Sequence, residues 1–469
     1  MAGNSFKPAL KAMLFCGASA ILMAPGSSFA LGLEEAVQVA LETNPEIGEA
    51  VANKEARNFE LDRARGNYYP QVTLEGRSGP GYRETRANDG NRDWRLRSEA
   101  SVTVQQMLFD GFATDSEVEA SAARIDSAAL RVMERSEFIG LEVVRIYIDI
   151  LRQRELVDLA NQNLDTLQRI YRDVADRVNS GASSVADQQQ ADERVQNARS
   201  LLIDFERSLE EAEITFERLV GEPPQNLADM QSGPQRMPNS REQAVQMALE
   251  NNPSIQFARA DLDAAYADWE ASKSAFYPEV SLVGTARAGY NLDDTEGKNN
   301  DLSLQLVVSY PLFTGGIDTA NREIAVREIS QAREAVLNQE REAEELVRQS
   351  WSSVMANERR IEVLQDQVVS SEQVRNSYLD QFGIGQRTLL DLLDSENELF
   401  NARVSLATSE YAEIFARYRV LAAAGQLLDT LGVQPPKQAQ AMARQEATVP
   451  ETPEEETMSR QEPRWLQSD

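Results

Sequence analysis

The chain contains no histidine and a single cysteine, Cys16, among 469 residues. Without imidazole there is no Ser-His-Asp triad, no Cys-His dyad and no histidine-ligated zinc site. The commonest general base near neutral pH is missing as well. Positive charge is scarce: 47 basic residues stand against 76 acidic ones, for a net charge of −29. Nucleic-acid binding needs basic surface against phosphate, so that class of partner is set aside. Long apolar runs are lacking too. Mean hydropathy is −0.46, and beyond residue 30 no apolar run approaches the ~18 residues of a membrane helix. By average, this reads as a soluble, acidic chain with no enzyme, cofactor or metal motif.

What is present begins with a leader. Lys7 and Lys11 precede an apolar run over residues 12–25, and Ser28-Phe29-Ala30 ends on small residues suited to cleavage after Ala30. This is the layout of a secretory signal peptide over residues 1–30. Cys16 lies inside it, directly after the bulky Phe15, which is not a lipidation context. The mature chain is then expected to hold neither Cys nor His, and to be stable without disulfides.

The remainder is a duplication. Ala36-Val37-Gln38-Val39-Ala40-Leu41-Glu42-Thr43-Asn44-Pro45-Glu46-Ile47 returns as Ala244-Val245-Gln246-Met247-Ala248-Leu249-Glu250-Asn251-Asn252-Pro253-Ser254-Ile255, with nine of twelve positions identical. Tyr69-Pro70 returns as Tyr277-Pro278, Leu108-Phe109-Asp110-Gly111 as Leu312-Phe313-Thr314-Gly315, and 181–187 as 385–391. The predicted organisation is a first repeat over 31–220, a Pro- and Gly-rich linker over 221–239, and a second repeat over 240–434. A Gln-, Glu- and Pro-rich tail over 435–469 is expected to be disordered.

Each repeat opens with a helix (33–67, 240–276) that its Asn-Pro should kink or break. The period then changes to two. Val72, Leu74 and Gly76 alternate with Thr73, Glu75 and Arg77; Leu96, Ala100, Val102 and Val104 with Arg97, Ser101, Thr103 and Gln105. The second half repeats this in Val280, Leu282, Gly284, Ala286 and Ala288, and in Leu302, Leu304, Leu306 and Val308. One β-hairpin per repeat follows, over 70–109 and 278–313, with loops at 79–93 and 289–301. Residues 112–178 hold no proline and one glycine, and as a helix would extend about 100 Å. Ala160, Leu164, Leu167, Tyr171, Val174 and Val178 step by four and three, a heptad seam, as do Tyr411, Ile414, Tyr418 and Leu421. Turns near 181 and 384 lead into return helices.

A small sheet on a soluble core is one reading of the hairpins. Strands of this length also match a tilted bilayer crossing. Tyr68, Tyr69, Phe109, Phe112, Phe276, Tyr277, Tyr310 and Phe313 cluster where strand meets helix, and Tyr82, Trp94 and Tyr290 lie near the opposite ends. Two aromatic belts about an apolar face describe a membrane barrel. Four strands cannot close one, and open edges in lipid leave N–H and C=O groups unpaired. Several chains must therefore share a barrel, and three would supply twelve strands.

The residues resemble one family over 31–432: the TolC-type outer-membrane channels of type I secretion and multidrug efflux. The resemblance rests on the duplicated Ala-Val-Gln…Asn-Pro helix, Tyr-Pro before a strand, Leu-Phe-x-Gly after one, and Ile384-Gly385-Gln386-Arg387-Thr388-Leu389-Leu390-Asp391-Leu392-Leu393-Asp394. It implies a mixed α/β membrane protein. Long helices form a coiled-coil periplasmic barrel, and four strands per chain complete a trimeric twelve-stranded β-barrel in the outer membrane, in contact with its lipid. An equatorial belt would draw on 221–239 and the chain after Leu431.

The resemblance further implies a homotrimeric passive duct, recruited by a periplasmic adaptor and an inner-membrane ABC exporter or proton-driven pump. The absent lipidation cysteine favours the type I secretion branch over efflux. Asp391 and Asp394 match the aspartates ringing the tunnel's narrowest point, which would give cation preference. By spacing alone they are first-turn helix acids complementing a dipole. Arg387 matches a gate arginine, with Asp187 as partner. Phe382 stands where the family uses a tyrosine, so one latch hydrogen bond should be missing. Gly181, Ser183, Gly383 and Gly385 at the turns would meet the adaptor. The competing class is a non-conducting periplasmic coiled coil.

Overall fold

The structure, a computed structural model, describes residues 31–81, 94–224, 226–230, 233–234, 236–292 and 297–446. The expected leader over 1–30, Tyr82 of one aromatic belt and residues 447–469 of the tail lie outside the described residues. The first repeat comprises α1 (Leu33–Thr43), α2 (Pro45–Arg65), β1 (Gln71–Gly81), β2 (Arg95–Phe109), α3 (Ala113–Asn179) and α4 (Val185–Val220). The second comprises α5 (Arg241–Asn251), α6 (Pro253–Ser272), β3 (Glu279–Tyr290), β4 (Lys298–Ser309), α7 (Ile317–Gly383) and α8 (Leu389–Ala423). Two short helices, α9 (Leu427–Leu431) and α10 (Ala443–Glu446), follow.

The duplicated Asn-Pro breaks the opening helix of each repeat, as the sequence predicts, and the break has a purpose. Pro45 and Pro253 begin the next helix, where no N–H is needed. The Asn44 side chain accepts from Glu46 N–H at 2.9 Å and donates to the Leu219 carbonyl at 3.2 Å. Asn252 does the same with Ser254 at 2.8 Å and the Ala423 carbonyl at 2.9 Å. Each buried Asn thus caps one helix and fastens it to the end of its own repeat's return helix.

The four strands form one antiparallel sheet in the order β1-β2-β3-β4. Its register stacks like with like. Leu74, Val102, Ala286 and Leu302 lie in one row, and Val72, Val104, Gly284 and Leu304 in another. The intervening rows are Thr73, Thr103, Thr285 and Ser303, then Glu75, Ser101, Arg287 and Asp301. Because side chains alternate across a strand, the apolar rows share one face and the polar rows the other. The apolar face is bare: Leu302 is 85% exposed and Leu304 73%. Water would not leave such a surface uncovered on a soluble sheet. No described helix is long and apolar enough to cross a membrane; an alternating sheet is the other spanning solution. Phe109, Phe112 and Tyr277 pack edge to face at the strand–helix junction, 5.4 and 6.3 Å between ring centres.

Gly111 makes that junction possible. Its φ is 68°, and a Cβ there would lie 2.8 Å from the Ser274 carbonyl oxygen, which explains the glycine of Leu-Phe-x-Gly. Beyond it, α3 and α7 each run 67 residues, about 100 Å. The predicted seam is in place, with Ala160, Leu167 and Val174 buried and Leu164, Tyr171 and Val178 half-buried. Near the chain's mid-length Val37, Val143, Tyr147, Phe216 and Leu427 form one core; near the far end Leu167, Val174, Val195, Leu392 and Leu393 form another.

Glu137 is buried in the mid-length core and accepts the Leu427 and Leu428 N–H groups at 3.2 and 3.4 Å, capping α9. Burial pushes its pKa up to about 7, against the opposing pull of those two bonds. A carboxyl that holds its proton more tightly when folded stabilises fully below its ordinary pKa, and loses that contribution as pH rises through about 7. The unfolding midpoint is therefore expected to fall between pH 5 and pH 8, by the equivalent of roughly 3 kcal/mol at most. Glu137→Gln should flatten that dependence; an unchanged slope would refute the assignment.

The disorder expected of the tail is corrected for residues 435–446. Buried Asp126 of α3 accepts from the N–H groups of Ala443 and Arg444 at 2.7 and 3.3 Å and from Arg444 Nε at 3.0 Å. The guanidinium also reaches Asp263. A carboxylate buried on α3 needs charged partners, and Arg444 supplies them by folding the strap back onto the helices. Composition could not show this.

Candidate functional site

The far tips of the helical hairpins carry the predicted site residues, and the two tips are built alike. At the first, Gly181 takes φ 76° and Ala182 N–H returns to the Arg177 carbonyl at 2.7 Å. At the second, Gly385 takes φ 76° and Gln386 N–H returns to the Gln381 carbonyl at 2.8 Å. Both are left-handed helix stops that satisfy last-turn carbonyls. A capping box then starts each return helix, Ser184 with Asp187 and Thr388 with Asp391. Gly181, Gly383 and Gly385 are exposed and Ser183 is half-buried.

This construction fixes both aspartates. Asp187 accepts from the Ser184 N–H at 3.0 Å and the Ser183 hydroxyl at 2.7 Å, and those bonds hold its carboxyl below the usual range. Asp391 accepts from the Thr388 hydroxyl at 2.8 Å. Asp394, one turn on, is exposed and meets Arg194 of α4, Nη2 to Oδ1 3.2 Å. Asp391 thus sits in the first turn of α8 and caps it, as the helix-acid reading has it.

Arg387 and Asp187 are not brought together within one chain. Arg387 donates to the Gln381 side chain at 2.9 Å, lies over the Tyr378 ring at 4.2 Å, and stands 3.8 Å from Asp391. Phe382 has no hydroxyl, but its backbone and ring are held another way. Arg177, in the last turn of α3, donates to the Phe382 and Gly383 carbonyls at 3.2 and 3.0 Å and lies 4.6 Å over the Phe382 ring. It serves the orphan carbonyls of a helix end that belongs to the other repeat. Arg177, Arg194 and Tyr378 thus join the site without having been singled out in the sequence. Their signal lay in the departures between repeats: by the offset of 181–187 to 385–391, Arg177 faces Gln381 and Arg194 faces Glu398.

Higher on the same bundle, Arg375 stands 3.6 Å from Glu396, whose pKa burial raises while Arg375, Arg403 and Arg169 pull it down. Among the described residues no group of three or more Asp or Glu is placed to hold a metal.

A sheet with an apolar outer face and two open edges, continued by ~100 Å helices, defines one protomer of a shared membrane channel. The chain belongs to the family described as outer membrane efflux protein, whose model matches residues 36–222 and 244–426. It is 25% identical over 404 residues to the outer membrane efflux protein BepC of Brucella suis, spanning 86% of this chain and 87% of that protein. It is 23% identical over 418 residues to the alkaline protease secretion protein AprF of Pseudomonas aeruginosa, 86% of each. Its fold is that of the Campylobacter jejuni CmeC outer membrane channel, with a TM-score of 0.74, 15% identity and 88% of each chain covered. The protein is thus an outer-membrane exit-duct subunit and not an enzyme. Its four strands form one sheet open at β1 and β4, a share of a barrel that only further copies can close.

Proposed function

We propose that the trimer is a passive duct for type I protein secretion, closed at its periplasmic mouth by the helical tips. A periplasmic adaptor engages the exposed turns around Gly181, Ser183, Gly383 and Gly385, and an inner-membrane ABC exporter supplies the energy. The observation carrying the gate is the placement of Asp391 and Asp394 one turn apart on α8, directly after the tip where α7 ends. Threefold symmetry gathers six carboxylates there, which favours cations in a narrow mouth. Asp187, kept ionised by its capping bonds, serves as partner to Arg387 of a neighbouring copy.

Arg387→Ser is expected to raise single-channel conductance severalfold in planar bilayers, since losing a hydrogen bond to a charged group costs about 1.5–3 kcal/mol. Unaltered conductance would sink the latch. The secretion branch draws support from the context of Cys16 and from the relative named for protease secretion. Multidrug efflux is the second reading, favoured by the relative named an efflux protein. Deleting the gene decides between them. Loss of one secreted protein with unchanged drug susceptibility supports secretion; hypersensitivity with an unchanged secretome overturns it.

A further inference from the structure

Asp394 differs from Asp391 in one respect: its partner is a cation on the other helical hairpin. Arg194 projects from α4 of the first repeat and Asp394 from α8 of the second, with Nη2 and Oδ1 3.2 Å apart. The Arg194 side chain is about two-thirds buried, and its Nε is buried with no hydrogen-bond partner. Its position is therefore set by packing and by its acidic neighbours, Asp394 and Glu193 at 3.8 Å. Asp391, by contrast, is held within its own hairpin by Thr388. Any movement that separates the α7/α8 hairpin from the α3/α4 hairpin must break the Arg194–Asp394 pair while leaving the Asp391 cap intact.

The geometry points to Arg194 as a charge mask that couples selectivity to opening, an inference that rests on the constriction reading above. With the hairpins together, Arg194 offsets Asp394 across the two hairpins, while Asp391 keeps Arg387 of its own hairpin beside it. With the hairpins apart, Asp394 is unmasked while the Arg387–Asp391 contact stays within its hairpin, and the net negative charge of the ring rises. The same pair holds the tips closed, together with the clasp of Arg177 on the Phe382 and Gly383 carbonyls. Opening and cation preference then rise together, because one ion pair governs both.

The test is reversal potential and conductance of purified trimers in planar bilayers under a salt gradient. Arg194→Gln is expected to increase the cation-to-anion permeability ratio and to raise open-state occupancy about two- to fivefold, the range an exposed ion pair commands. Arg194→Lys should stay near wild type. In an Asp394→Asn background, Arg194→Gln should add nothing further to selectivity. Arg194→Asp combined with Asp394→Arg should restore the closed state, which guards against misfolding of the single variant. Wild-type reversal potential and conductance in Arg194→Gln, while Asp391→Asn with Asp394→Asn shifts both, would overturn the mask and leave the constriction standing. An unshifted reversal potential in that double amide variant would overturn the constriction and the mask together.

Discussion

An outer membrane carrying the Leu304→Arg protein is expected to contain no assembled channel. Leu304 lies mid-strand in β4, in a row with Val72, Val104 and Gly284, and is 73% exposed. In the trimer that face meets lipid. An arginine at the bilayer midplane of a barrel costs about 2–4 kcal/mol, and symmetry imposes it three times. The sum rivals the whole stability of an ordinary domain. The neighbouring substitution Ser303→Arg sits on the polar face, beside Thr285, and should assemble. The measurement is the SDS-resistant trimer band in outer-membrane fractions. Equal bands from both variants would show that the faces are assigned the wrong way round.

Asp391→Asn together with Asp394→Asn should abolish cation preference and relieve block by multivalent cations. The amide is chosen over alanine because Asp391 also accepts from the Thr388 hydroxyl, and an amide oxygen can keep that cap. At ~0.1 M salt charges are screened over about 10 Å, so carboxylates ringed at a narrow mouth act on a passing ion as one field. Reversal potentials at two salt concentrations check this: the wild-type preference should weaken at high salt, and the double variant should show none at either. Preserved selectivity would place the filter elsewhere.

Much of the fold was legible because duplication prints each signal twice. Asn44-Pro45 alone is a weak break; with Asn252-Pro253 it fixed both helix joints to the residue. The strand faces were readable as an alternation, while a window average registered only an acidic, soluble chain. The fold of residues 435–446 was not legible, since their order depends on Asp126 and Asp263, more than 180 positions away. The site divided likewise. Asp391 and Arg387 sit in a recognisable run, but Arg177 and Arg194 act across the repeats, on partners about 200 positions distant. No local period encodes such pairs. The missing hydroxyl at Phe382 was legible as a loss; that Arg177 holds the same residue by its carbonyl and ring was not.

The order β1-β2-β3-β4 leaves β1 and β4 as edges of every copy. Ring closure then sets β4 of one copy against β1 of the next, so each subunit completes two of its neighbours and no pair of subunits is closed. A copy with a damaged edge spoils every ring it enters. In a cell making equal amounts of sound and edge-damaged protein, roughly one ring in eight would consist only of sound copies. Edge defects in this protein should therefore be genetically dominant, whereas variants that never fold, and so never join a ring, should be recessive.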